Sequence, residues 1–248
     1  MDTISLIISS LLILIPIFIS YKEHLGLEKE IIISILRAII QLIIVGYILD
    51  LIFGLEKPIF TVLLVLIMSI NAAINTKKRG ENINNVVFIS FISIIIGTGI
   101  TMIVLICSGA IEFTADKVIP VAGMIISNCM VAIGLSYRNL NDSFKNRRAE
   151  VEVKLSLGAD IMEASKDVLR ESIKLAMIPT IDSAKTLGIV ALPGMMTGLI
   201  LAGSSPITAI KFQIMVTFMI LSSSSIAVII ATYTSYRSFF NERKQLCI

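Results

Sequence analysis

Residues 86–108 read VVFISFISIIIGTGITMIVLICS, an unbroken run without a charged side chain. A hydrocarbon core about 30 Å thick is crossed by about 20 apolar residues in helical form. Lipid offers no partner for backbone N–H and C=O groups, so such a segment must satisfy its own, and a helix does this. The continuous Ile/Leu/Val runs also lack the alternation of an outer-membrane barrel strand. The stretch is therefore a membrane helix, and its Gly97, Thr98 and Gly99 allow a kink or a close helix crossing.

Working outward, six more stretches have the same character, near 3–20, 31–53, 58–76, 118–136, 185–203 and 206–235. The 248-residue chain is 56% hydrophobic with a mean hydropathy of +0.92, far from a soluble domain. The expectation is an all-α, polytopic membrane bundle of seven transmembrane helices. It forms a single membrane domain over 1–248 with one polar cytoplasmic arm at 137–179. The first stretch is read as a span and not a signal peptide, because Asp2 stands where a positive region is usual and no small-x-small site follows Ser20.

Lysine and arginine set the orientation. With the N-terminus outside, the inner segments hold Lys22 and Lys29, then Lys77, Lys78 and Arg79, then eight in 137–179, then Arg237, Arg243 and Lys244. The outer loops hold only Lys57 and Lys117. The C-terminus is thus expected in the cytoplasm and the chain in the cell membrane as a multi-pass protein. The net charge of +3 reflects this topology and implies no nucleic acid. Cys107, Cys129 and Cys247 form no CxxC and no disulfide framework.

Within the arm, Ile161, Ser165, Val168, Leu169, Ile173 and Ala176 recur at helical spacing opposite a charged face. Residues 150–157 alternate charged and apolar side chains, but a lone strand beside a membrane has no ladder partner. The arm reads as helix, a break at Gly158, and a second helix.

Polar residues inside the spans are sparse. Arg37 and Gln41 lie one turn apart in the second span, Asn71 and Asn75 one turn apart in the third. They either line a gate or serve as a snorkelling cation and a helix cap. Asn128 falls near mid-membrane and is expected to face the bundle interior as glue between helices. The sixth span carries Pro193 before a Gly194, Gly198, Ala202 seam, which serves either a dimer or packing within one subunit. Met195 and Met196 project there, Gln213 lies in the seventh span, and these residues complete the candidate path. Met195, Met196 and Cys129 are the candidate soft-metal donors, against the plainer reading of adaptable core packing.

Chemistry is conspicuous by what is missing from the sequence. No GxxxxGK[ST] loop or HExxH occurs, His24 is the single histidine, and the spans hold few carboxylates. No enzyme is indicated, and no cofactor is expected on this chain.

At the arm, Glu152 followed by Gly158 and Ala159 resembles the start of the cytoplasmic coupling motif of ABC importer permeases. The tracts IPVAGMIISNCMVAIGLS at 119–136 and IPTIDSAKTLGIVALPGMMTGLILAGSSPITAIKFQI at 178–214 resemble the FetB (YbbM) family of ABC-transporter permeases. Plant aluminium-tolerance permeases belong to the same group. The resemblance spans essentially the whole chain, Arg37 and Gln41 included. It implies an iron-exporting permease that forms a homodimer and pairs with a FetA-like ATPase carrying ATP and Mg²⁺. Coupling would run through Glu152, Leu155, Leu157, Gly158, Ala159, Ile161 and Met162. The residues themselves fit iron incompletely, since Fe²⁺ prefers imidazole and carboxylate ligands that the spans hardly offer. A nucleotide sugar or other anion paired with Arg37, or an ATPase-independent channel, are the alternatives.

Overall fold

The computed structural model describes residues 8–55 and 57–247, apart from the side chains of Phe53 and Leu55. Asp2 and the start of the first expected span lie outside the described residues. The chain forms two compact units, one ending at Glu56 and one beginning at Lys57.

In the first unit a 3-10 turn, Leu11–Ile13, leads into α1, Leu14–Lys22, and then α2, Glu28–Leu55. The loop between them turns through His24 and Gly26, both at positive φ. It is tied by Ser20, whose Oγ donates to Glu28 Oε1 at 2.7 Å and accepts from Leu27 N–H at 3.1 Å. These bonds explain why Ser20 is buried in a unit that otherwise presents apolar side chains outward.

The second unit holds α3, Pro58–Thr76, α4, Val86–Cys107, and α5, Ala115–Asn146. The arm follows as α6, Arg148–Ser156, and α7, Ile161–Thr186, and the chain continues as α8, Gly194–Leu201, and α9, Pro206–Ser235. Proline at the start of α3 and α9 gives up an N–H that no helix would use there. Ser205 caps α9 by accepting from Thr208 N–H at 3.2 Å. Among the described residues, five helices are long and apolar enough to cross a membrane.

The α4, α5 and α9 helices pack as the centre of this unit. Their contact surface mixes buried hydroxyls with buried apolar residues such as Ile94, Ile125, Ile133 and Val228, while other Ile, Leu, Val and Phe side chains face outward. Thr76 Oγ1 donates to Ser90 Oγ at 2.7 Å, and Ser90 is within 3.0 Å of the Tyr137 hydroxyl. Ser136 and Thr232 hydroxyls meet at 2.6 Å. Between helices in lipid, small and hydroxylated residues allow close approach and shared hydrogen bonds, which hydrophobic contact alone does not reward there. Gly97 marks a close crossing of α4 and α9: a Cβ built on it would lie 2.9 Å from the Ser223 carbonyl oxygen.

Two expectations are revised. The fifth span does not stop near 136 but continues to Asn146, since Tyr137, Leu140 and Phe144 are fully buried beyond the apolar run. The stretch 185–203 is not one helix. α7 runs on through Pro179 to Thr186, the chain turns at 187–193, and only α8 follows. Gly188 at φ +81° makes the turn, and the amides of Ile189, Val190 and Ala191 converge on the Thr186 carbonyl at 3.4, 3.0 and 3.3 Å. Pro193, with no N–H and an extended backbone, starts α8 instead of sitting within a longer helix. α8 is followed by a turn at Gly203, at φ +94°, and then by α9.

Candidate functional site

The arm has the form read from its sequence. α6 and α7 are joined through Gly158 at φ +91°, a conformation that a residue with a Cβ reaches only with strain. Val151, Val168 and Leu169 are buried beneath it. Above them Arg147 donates to Glu150 at 2.8 Å and Glu171 at 3.1 Å, and Lys154 contacts Glu150 and Asp167, both at 2.8 Å. The Arg147 guanidinium, followed by the Lys154 ammonium, holds the Glu150 carboxyl below its ordinary range. Lys154 does the same to Asp167. Each exposed pair contributes little alone; two of them, Arg147–Glu171 and Lys154–Asp167, join the start and the body of α6 to α7.

The expected coupling residues divide in two. Leu155, Ala159, Ile161 and Met162 are partly buried and pack onto the core of the bundle. Leu157, 83% exposed, stands at the tip, with Gly158 beside it. Glu152 accepts from Arg148 Nε at 2.7 Å on the outer flank.

The C-terminal tail meets this turn, which sequence reading missed. Phe239 is fully buried and its ring lies 4.7 Å from that of Phe144. The chain then reverses, with Phe240 and Leu246 bridged in antiparallel fashion. Lys244 Nζ donates to Asp160 Oδ1 at 2.9 Å, holding that carboxyl below its ordinary range. A groove of about 740 Å³ opens between Arg148, Glu152, Leu155 and Gly158 on the arm and Arg243 to Cys247 on the tail.

A second cavity, about 390 Å³, lies where α7 gives way to α8, facing α9. Leu187, Gly188, Leu192, Pro193 and Met196 form one side, and Ile210, Gln213, Thr217 and Phe218 the other. Gln213 Oε1 is buried without a hydrogen-bond partner among the described residues. A break in helical structure leaves backbone groups that need cover by protein or by a water-filled cavity, and this break has a cavity beside it. The lining donors are neutral: an amide oxygen, a hydroxyl, a thioether and backbone carbonyls.

Of the expected path residues, the structure brings Met196 and Gln213 together here. Met195 packs partly buried against the core, and Cys129 lies fully buried within it. Asn128 Nδ2 donates to the Met124 carbonyl of its own helix at 2.8 Å. Asn75 Nδ2 donates to the Asn71 carbonyl and side-chain oxygens at 2.9 and 3.1 Å, an exposed pair on α3. Arg37 and Gln41 are exposed on α2 in the first unit. The Gly194, Gly198 seam does not serve packing within the subunit, because a Cβ on either glycine would meet nothing within 4 Å. No group of three or more His, Cys, Asp or Glu stands ready for a metal among the described residues.

Missed by the sequence reading, besides the tail, was the pair in which Lys185 Nζ donates to Asp182 Oδ1 at 2.9 Å on the last turn of α7. Its i, i+3 spacing was a visible signal once α7 was known to continue that far.

Comparison with known proteins agrees with this architecture. The profile of the family described as "Uncharacterised protein family (UPF0014)" matches residues 3–240. The "Probable iron export permease protein FetB" of Escherichia coli strain K12 is 52% identical over 98% of this chain and 94% of its own. The Bacillus subtilis membrane protein YjkA is 39% identical over 99% and 98%. The Arabidopsis thaliana protein ALUMINUM SENSITIVE 3 is 34% identical over 94% and 86%. No solved structure matches. Long apolar helices packed through hydroxyls, and a match to bacterial and plant membrane proteins along nearly every residue, lead to one conclusion: this multi-pass membrane protein belongs to the UPF0014 family.

Proposed function

We propose that this chain is the permease subunit of an ATP-binding-cassette exporter that moves iron, or another metal ion, out of the cytoplasm. ATP and Mg²⁺ would be held by a separate FetA-type ATPase. One observation carries the reading: α7 is a single helix of 26 residues, about 39 Å long at 1.5 Å per residue. One of its ends adjoins the arm turn and the other the cavity at the break. A push on the turn thus reaches the cavity through one continuous helix, with Pro179 near its far end as the one place where an interior hydrogen bond is given up.

The cargo assignment leans on the name of the Escherichia coli relative. The cavity supports a transient site, since neutral oxygen and thioether donors hold a divalent cation weakly enough to release it. No lysine or arginine lines it, which disfavours a phosphate-bearing cargo at this place. Seven crossings remain the proposed count, the sixth being composite, from the end of α7 through the break and α8. The N-terminus is then outside, with arm and tail in the cytoplasm. The Lys244–Asp160 contact supports a common side for those two.

The test is iron efflux from cells expressing this chain with its ATPase, with and without Gly158→Trp. Efflux should fall at least tenfold while membrane insertion persists. Unchanged efflux would remove the coupling role, and ion conduction by the purified chain alone would favour a channel.

A further inference from the structure

The C-terminal hairpin is built with more care than a loose end requires. Asn241 N–H donates to the Gln245 carbonyl at 3.0 Å, Gln245 N–H to Asn241 Oδ1 at 2.8 Å, and Cys247 N–H to the Phe239 carbonyl at 2.8 Å. Leu246 is buried, and Lys244 takes a left-handed conformation at φ +59°, which turns its ammonium onto Asp160. Asp160 itself begins α7. The hairpin is therefore pinned to the residue where the arm turns, and it forms the second wall of the groove.

The charge pattern says what kind of surface this end meets. In residues 146–174 the cations Arg147, Arg148, Lys154, Lys166, Arg170 and Lys174 are matched by Glu150, Glu152, Asp160, Glu163, Asp167 and Glu171. A membrane-lying helix carries a basic polar face toward anionic lipid, and this arm has none. At the groove, Arg148 is paired with Glu152 and Lys244 with Asp160, while Arg243 is exposed and in no ion pair among the described residues. Leu157 and Val153, 83% and 58% exposed, stand as apolar side chains on the same arm. An apolar tip beside a free guanidinium fits a concave protein surface with an apolar floor and a carboxylate on its rim.

We propose that the arm turn and the C-terminal hairpin form one composite docking surface whose occupant is the ATPase subunit, with Leu157 entering its cleft and Arg243 meeting a carboxylate at the rim. This rests on the exporter reading above and names the part of the chain it left unused. The hairpin follows directly on α9, which lines the cavity at the break. The partner thus grips both helices that face that cavity, α7 through the arm turn and α9 through the tail.

Cys247 lies in the groove and is exposed, whereas Cys129 is buried, so a Cys107→Ser chain leaves one reactive reporter in place. The experiment is capture of the co-expressed FetA-type ATPase by this chain in detergent, with maleimide labelling of Cys247 in the free and captured states. Three chains are compared in that background: the parent, Leu157→Asp, and Arg243→Glu with Arg243→Gln as its milder companion. The expected result is capture by the parent, at least tenfold slower labelling of Cys247 in the complex, loss of capture with Leu157→Asp, and about tenfold weaker capture with Arg243→Glu, the effect of about 1.4 kcal/mol. Capture that Leu157→Asp abolishes, with Cys247 labelled at the free rate and both Arg243 variants binding like the parent, overturns the composite surface and leaves the exporter reading intact. Capture that survives Leu157→Asp overturns it as well, since the arm tip would then lie outside the interface. No capture by the parent defeats the exporter reading and this inference with it.

Discussion

Gly97 and Gly198 are both glycines in apolar helices, yet they answer to different constraints. A methyl on Gly97 would press on the Ser223 carbonyl at 2.9 Å and Ala227 Cβ at 3.3 Å, where backbone cannot step aside. Gly97→Ala should cost about 1–3 kcal/mol, the range for overpacking a tight contact, whereas Gly198→Ala should leave thermal stability in detergent unchanged. Equal melting temperatures for the two variants would show that α4 and α9 do not cross closely at Gly97. Gln213 is a different kind of residue, an amide oxygen buried beside a cavity with nothing to accept from among the described residues. Gln213→Leu should preserve or raise stability, because it removes a buried unsatisfied group. It should also lower iron efflux several-fold, and a variant that exports normally would remove this residue from the path.

At the scale of elements, α7 matters most. Lys174 is exposed in its middle, and proline there would remove one helical hydrogen bond and clash with the preceding turn, at about 3 kcal/mol or more. Lys174→Pro should keep ATPase capture, since the arm turn is untouched, and lose most efflux. Efflux at the parental level would show that force does not travel along this helix. The arm has its own pH dependence. Glu150, Asp160 and Asp167 are held below their ordinary values by Arg147, Lys244 and Lys154 respectively. A carboxyl lowered in the folded state contributes stability in full above the ordinary carboxylate range and loses it as pH falls through the lowered value. Hydrogen exchange over 148–174 should therefore accelerate below about pH 4, beyond the change in intrinsic rate, and more strongly at low salt than at high salt, where screening has already weakened the exposed pairs. Protection that is flat down to pH 3 would mean that these pairs do not hold the arm.

For the whole molecule the testable property is sidedness. Cys107 ends α4 and Cys247 lies in the tail, both exposed. With the proposed orientation, an impermeant maleimide applied to intact cells should label Cys107 and spare Cys247, and inverted vesicles should reverse the pattern. Labelling of Cys247 from outside would invert the assignment and place the arm away from any cytoplasmic ATPase.

Apolar runs are local, and a helix in lipid satisfies its backbone locally, so residues 58–76, 86–108 and 206–235 were legible as helices almost to the residue. The helix–Gly158–helix arm was legible for a like reason, as spacing and one glycine encode it within a few turns. The break at 187–193 was not. Hydropathy records what side chains prefer and not where a helix begun at Ile161 runs out of hydrogen bonds, so a broken crossing and a continuous one read alike. Nor could the sequence place Met196 beside Gln213, or bring Lys244 to Asp160, since those meetings depend on how α7 and α9 pack against α5. The sequence by itself determined a helical membrane protein with a polar arm, because solvent preference is a property of each segment. Only the tertiary structure decided where its cavity and its groove lie, because both are spaces between segments distant in the chain.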